Sequence, residues 1–299
     1  MPKGRVCVLW WTISLIGMGI LILVAVGIWK MSVASQRPRL MPNEIVPDVP
    51  YEEVTFQSEG SKLHGWIAMP PNADRCAAVV IAHGWGSNRS RVLRYAGPIY
   101  DSGIAVMLFD ARSHGDSDPI NAPSGLMFRD DVTAAVDFLK RQPGVDPERI
   151  AVLGHSMGGF GALLALGKGL PVRAVVTDST PIRFDTMFTA ELKRRKLPIF
   201  PLGYLIPWIW LWRSGISRAD IRQSDIPSIL ERNLSAGGTP VLMVHSVRDG
   251  FIPADDLQKL VKKVPVEHLL VDSEGHSVSE KDPAFWQQVL PFLKKHLLS

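Results

Sequence analysis

The sequence predicts an α/β fold: a mostly parallel central sheet with helices on both faces, a cap insertion, and one transmembrane helix ahead of the globular part. Three observations predict it. Compact apolar runs alternate with amphipathic stretches through most of the 299 residues, the pattern of strands buried on both faces by crossover helices. Residues Gly154-His155-Ser156-Met157-Gly158 form a G-x-S-x-G where a strand-forming run meets a helix-forming one. Near the N-terminus, about 24 residues from Val6 to Trp29 carry no charge, long enough to cross a bilayer.

That first segment is flanked by Lys3 and Arg5 on one side and Lys30, Arg37 and Arg39 on the other. A cleaved signal peptide is the rival reading, with Ser32-Val33-Ala34 resembling a cleavage site. The apolar stretch, however, exceeds a typical signal core and Lys30 intervenes. The expectation is therefore an uncleaved signal anchor over residues 1–30, with Trp10, Trp11 and Trp29 placed for an interfacial aromatic belt. Flanking positive charge nearly balances, and orientation is read as N-terminus inside with the bulk of the chain extracytoplasmic. Residues 31–50 carry Pro38, Pro42, Pro47 and Pro50 and read as a semi-extended tether separating anchor from domain.

The remaining residues, 51–299, read as one α/β domain. Glu53 to Gln57 and Leu63 to Met69 open it as an antiparallel pair around Glu59-Gly60-Ser61. Ala77 to Ala82, Ala105 to Phe109, Ile150 to Leu153, Ala174 to Thr177, Val241 to Val244 and Glu267 to Val271 are the buried strands. Helices are expected at Arg91 to Asp101, Phe128 to Arg141, Phe160 to Leu166, Ala254 to Val264 and Asp282 to Leu297. In the second of these, Val132, Ala135, Val136 and Leu139 recur at helical spacing, with Asp130 and Asp131 in the first turn and Lys140 and Arg141 in the last. Residues from about 181 to 237 break the rhythm and read as a cap insertion.

Composition narrows the function. The formal charge of +4 with 21% charged residues, scattered except at Lys193 to Lys196, gives no basis for nucleic-acid binding. Two cysteines, Cys7 and Cys76, make no disulfide framework. The eight histidines show no H-x-x-x-H spacing and no pairing with cysteine, so neither a metal site nor a cofactor is expected.

Chemistry concentrates at strand ends. A serine hydroxyl becomes a useful nucleophile when a sharp turn exposes it beside a base and donors for the oxyanion. Gly154 and Gly158 permit such a turn at Ser156. On a parallel sheet the partners follow in the order serine, acid, histidine, and Asp249 and His276 follow the next-to-last and last strand runs. His276 is the expected proton carrier and Asp249 the group that orients it. Asp178, also at a strand end, competes for the acid's role. The backbone N–H groups of Met157 and of Trp85, in His83-Gly84-Trp85-Gly86, are the expected oxyanion donors. Asp110 to Ser117 reads as a structural polar loop, and His155 as a shaping residue.

These motifs, with Asp249-Gly250-Phe251-Ile252-Pro253 and Gly275-His276, resemble the α/β-hydrolase superfamily over about Tyr51 to Leu298. The anchor followed by such a domain is similar to the Bem46-like or serine-aminopeptidase-like group. The resemblance implies esterase, thioesterase or lipase-like chemistry on a small-molecule or acylated substrate, a lipid among the candidates, with the membrane reached through the N-terminal helix. Ser156 in place of an elbow aspartate argues against dehalogenase or epoxide hydrolase chemistry. A serine peptidase or amidase of the same fold, and a non-catalytic anchored scaffold, are the alternatives. Oligomeric state and substrate are not specified. In the cap, Leu197 to Trp212 is apolar and aromatic after Lys193-Arg194-Arg195-Lys196. Two readings stand: cap residues buried on the main domain, or a lid resting on the bilayer.

Overall fold

A computed structural model describes residues 3–71 and 75–299. The first two residues of the expected anchor and the side chain of Cys7 lie outside the described part. The strands are β1 (Glu52–Ser58), β2 (Ser61–Ala68), β3 (Cys76–Ala82), β4 (Ala105–Phe109), β5 (Val145–His155), β6 (Ala174–Asp178), β7 (Val241–Ser246) and β8 (Glu267–Val271). They form an eight-stranded sheet ordered β1-β2-β4-β3-β5-β6-β7-β8. β1 and β2 pair antiparallel, as do β2 and β4; from β4 to β8 every pair is parallel.

Every residue of β3, β4, β6 and β7 is buried, which is why these strands read as unbroken apolar runs. Alternate residues serve opposite layers. Ala78, Val80 and Val152 face one core with helices α3 (Gly125–Leu139), α4 (Met157–Leu166) and α9 (Asp255–Val261). Val79, Ile81 and Leu153 face the other, with α2 (Ala96–Tyr100) and α10 (Pro283–Leu297).

Two expectations need correction. Ser124 caps α3 by accepting from the Met127 N–H, so the helix starts at Gly125 and Asp130 and Asp131 fall beyond its first turn. Asp131 is fully buried; it accepts from the Arg112 backbone and Nε at 2.8 and 2.7 Å and from Ser58 Oγ at 2.6 Å. Its role is a buried ion pair that must be satisfied on all sides, not a dipole partner. The helix expected from Arg91 begins instead as a 3-10 turn, Arg89–Tyr95, continuing into α2.

Between β6 and β7 lie α5 (Phe184–Arg194), α6 (Leu202–Arg213), α7 (Arg218–Gln223) and α8 (Ile226–Ser235). Phe188, Leu192, Leu202 and Ile206 make a small core of their own, against which Ile28 packs. Ile28 belongs to α1 (Lys3–Ser35), in which Trp10–Ser35 is long and apolar enough to cross a membrane. α1 continues past residue 30, the expected start of the tether. The residues after it are fastened to the domain: Asn88 Nδ2 donates to the Met41 and Pro42 carbonyls at 2.9 and 2.8 Å, and Asn43 Nδ2 donates to Asp110 and Asp116 at 2.8 and 2.9 Å.

Candidate active site

Ser156 stands between β5 and α4 with φ 54° and ψ −119°. A non-glycine residue there carries roughly 1–3 kcal/mol of strain, which surrounding contacts must hold. They do so through the Ser156 N–H, which donates to the Asp178 carbonyl at 2.8 Å, and the Ser156 carbonyl, which accepts from Thr180 Oγ1 at 3.1 Å and the Phe160 N–H at 3.0 Å. The turn is tight enough that a Cβ at Gly154 would come within 2.4 Å of the Gly159 backbone. The turn after β3 approaches equally closely, since a Cβ at Gly84 would lie 2.9 Å from Ser156 Cβ.

His276, in the loop after β8, places Nε2 2.9 Å from Ser156 Oγ and Nδ1 2.7 Å from Asp249 Oδ2. The carboxylate can only accept, so Nδ1 carries the proton and Nε2 is free to accept the serine hydroxyl's. Asp249 follows β7, and its other oxygen accepts from the Phe251 and Ile252 N–H groups at 2.8 and 2.9 Å. Burial alone would raise this carboxyl's pKa. The neighbouring His245 and His276 imidazoles and the Ile252 N–H outweigh it and hold the group well below the usual carboxylate range. Asp249 is thus an anion throughout the neutral range.

Trp85 and Met157 line the same cavity as Ser156, and among the described residues no hydrogen bond runs from either backbone N–H to a protein acceptor. The cavity holds about 860 Å³. Its walls are mainly apolar: Phe160 stands near the serine, Leu192 and Ile206 come from the cap, and Met31, Gln36 and Met41 from α1 and the segment after it.

Comparison with known proteins gives the family. A family model described as serine aminopeptidase, S33, matches residues 73–226. The chain belongs to the serine aminopeptidase S33 family of α/β hydrolases. The match includes Trp85, Ser156 and Met157, while Asp249 and His276 lie beyond it. The hydrolase is 27% identical to the uncharacterized protein YfhR of Salmonella typhimurium, over 75% of this chain and 74% of that one. It is 34% identical to the thiohydrolase aneE of Aspergillus aculeatus over a shorter stretch, 42% of this chain and 41% of that one. The esterase Pf2001 of Pyrococcus furiosus superposes with a TM-score of 0.68 at 23% identity, covering 88% of this chain and 97% of that one.

Asp178, the competing acid, ends β6 of the hydrolase, and its carboxylate is buried in a separate close-packed polar pocket. Its Oδ2 accepts from Tyr95 OH at 2.5 Å and its Oδ1 from Ser179 Oγ at 3.2 Å. Among the described residues no hydrogen bond joins it to a histidine. His155 lies between the pockets, its ring centroid 4.9 Å from that of His276 and 6.4 Å from that of Tyr95. Burial, then the nearby Arg94 and His276, push its pKa well below the ordinary histidine value. Neutral, it donates from Nε2 to the His276 carbonyl at 3.0 Å and steadies that loop. The polar loop after β4 is structural: Asp110 is buried and pairs with Arg89, which also reaches Asp116 at 2.7 Å.

Two parts of the site escape sequence reading. His245 sits four residues before Asp249 with Nε2 3.5 Å from Oδ2 and 2.8 Å from the Ile252 carbonyl; its only signal is its place at the end of an apolar run. Met31, Gln36 and Met41 reach the cavity through tertiary contacts that no local motif announces.

Proposed function

We propose that the protein is a membrane-anchored serine hydrolase that cleaves a carboxylic ester or thioester through an acyl-enzyme. The observation that carries this reading is the unbroken hydrogen-bond line Asp249, His276, Ser156, whose histidine and serine line a mainly apolar cavity together with Trp85 and Met157. Ser156 Oγ attacks the carbonyl carbon as its proton passes to His276 Nε2, and the Trp85 and Met157 N–H groups take up the oxyanion. Collapse breaks the bond to the leaving oxygen or sulfur, which receives the proton from His276. Water then gives its proton to His276, attacks the acyl carbon, and releases the acid with Ser156 restored. Asp249 holds the imidazole tautomer and stabilises its cation at each step. No cofactor enters the scheme.

An aminopeptidase, the activity in the family's description, is the second reading. It must hold a free α-ammonium, and the cavity's carboxylates are already engaged. Glu191 binds Arg194 and Arg195, Asp185 binds Arg183, and Asp225 caps α8. That leaves an apolar acyl site as the better fit. The similar proteins named esterase and thiohydrolase support the same preference. In this reading α1 crosses the membrane once, with the N-terminus inside and the catalytic domain extracytoplasmic.

Fluorophosphonate labelling tests the assignment. The wild type is expected to label and to hydrolyse p-nitrophenyl esters. Ser156→Ala is expected to lose labelling and about 10⁶-fold in kcat. Absence of serine-dependent labelling would favour the scaffold alternative, and faster turnover of an aminoacyl amide than of an ester would favour the peptidase.

A further inference from the structure

Helix α6 presents two unlike faces. Leu202 and Ile206 are buried against Phe188 and Leu192 in the cap's own core. Phe200, just before the helix, and Tyr204, Trp208 and Trp212 recur at every fourth position, the spacing that stacks side chains along one line. They are 79, 69, 65 and 64% exposed. A contiguous exposed aromatic row marks a surface meant for contact. Its neighbour is α1. The Trp29 and Trp212 rings meet edge-on with centroids 5.8 Å apart, and Trp210 Nε1 donates to the Ser32 carbonyl at 2.9 Å. Gln36, itself buried, donates to the Pro123 and Trp210 carbonyls at 3.2 Å and to Ser214 Oγ at 2.8 Å. The aromatic row therefore continues the exposed apolar surface of a helix long enough to cross a membrane.

We propose that the outer face of α6 seats on the bilayer beside α1, and that the cavity draws its substrate, a membrane-resident acyl amphiphile, from the leaflet along the seam between the two helices. The substrate part of this inference rests on the assignment of Ser156 as nucleophile; the docking part does not. Three features favour a lipid surface over a protein partner. The row is continuous with the candidate span. Its members are mainly tryptophan and tyrosine, which sit at headgroup level with the polar tip in water. The exposed basic run Lys193 to Lys196, at the end of α5, suits anionic headgroups. The same two helices wall the cavity, through Met31 and Ser35 at the end of α1 and Ile206 and Trp210 on α6, so an acyl chain could pass from lipid to Ser156 without exposing its methylenes to water.

The experiment uses the full chain in vesicles of phosphatidylcholine and phosphatidylglycerol containing brominated lipid. Tryptophan quenching in the wild type is compared with Trp208→Phe, so that the difference reports Trp208 alone. Quenching of Trp208 is expected, and its absence overturns the docking. Activity is then compared between the wild type and Tyr204→Ser/Trp208→Ser on two substrates. The double variant is expected to lose about tenfold or more on a long-chain acyl ester embedded in the vesicles. Hydrolysis of soluble p-nitrophenyl butyrate should stay within about twofold, as for residues that do not line the cavity. Undiminished hydrolysis of the embedded ester, or a wild-type dimer that the double variant converts to monomer, would also overturn the proposal. Quenching without any butyrate hydrolysis would leave the docking standing and sink the hydrolase reading instead.

Discussion

At the carboxyl ends of the neighbouring parallel strands β6 and β7 lie two close-packed polar pockets, each centred on a buried aspartate. In the β7 pocket, Asp249 faces an imidazole and two backbone N–H groups. In the β6 pocket, Asp178 faces a phenol and a hydroxyl. Tyr95, the phenol, is in turn held by Arg94 Nη2 at 2.8 Å, and Arg94 lies 3.3 Å from Glu280. An imidazole exchanges a proton near neutral pH. Burial, followed by the Asp178 charge, raises the Tyr95 pKa well above that of an ordinary phenol, so this proton stays in place. Position at a strand end is common to both pockets; under the proposed mechanism the acid is the one whose partner can release a proton and reach the serine, and only Asp249 has such a partner among the described residues.

The largest test of that distinction is a pair of isosteric changes. Asp249→Asn keeps the shape but favours the wrong imidazole tautomer, and kcat for a p-nitrophenyl ester is expected to fall about 10⁴-fold. Asp178→Asn is expected to cost less than about tenfold in kcat while lowering unfolding free energy by about 1–3 kcal/mol, as for a disturbed buried hydrogen-bond group. Steady-state kinetics with urea unfolding on both variants separates the outcomes. A catalytic collapse in Asp178→Asn with a mild effect in Asp249→Asn would transfer the acid's role to β6.

Much of this contrast is legible in the amino-acid sequence. Strands buried on both faces announce themselves as apolar runs, and a nucleophile turn demands small residues at Gly154 and Gly158. Chain order then favours Asp249 over Asp178, and of the two it is Asp249 whose carboxylate meets His276. The partners of Asp178 are illegible there, because Tyr95, Arg94 and Glu280 come from elements distant in sequence. The docking of residues 37–50 is illegible for a related reason: side-chain bonds such as Asn43 to Asp110 leave no periodic trace. The start of α3 departs from its apolar repeat because Ser124, outside that repeat, supplies the cap.

The two pockets also predict opposite pH limits. Tyr95 has a folded pKa above its unfolded value near 10, so above about pH 10 the unfolded chain binds fewer protons and stability falls as pH rises. Asp249 has a folded pKa below its unfolded value near 4. Its contribution is complete above about pH 4 and is lost as pH falls further. Thermal melts from acid to alkaline pH are expected to show both limbs, with Tyr95→Phe blunting only the alkaline one and Asp249→Asn only the acid one. Loss of the alkaline limb in Asp249→Asn would show that the pockets titrate as one unit.

The smallest expected effect belongs to His155, which touches both pockets without titrating at neutral pH. Toward Asp249 it donates to the carbonyl of His276, in the loop after β8. His155→Gln can keep a donor there, and kcat should change by less than about threefold. His155→Leu leaves that carbonyl without its donor and frees the loop, and a loss of about five- to tenfold is expected, without the acid-limb change that marks Asp249. If both variants lose activity alike, the imidazole ring between Tyr95 and His276 matters for its packing rather than its hydrogen bond, and the two pockets are coupled through that ring.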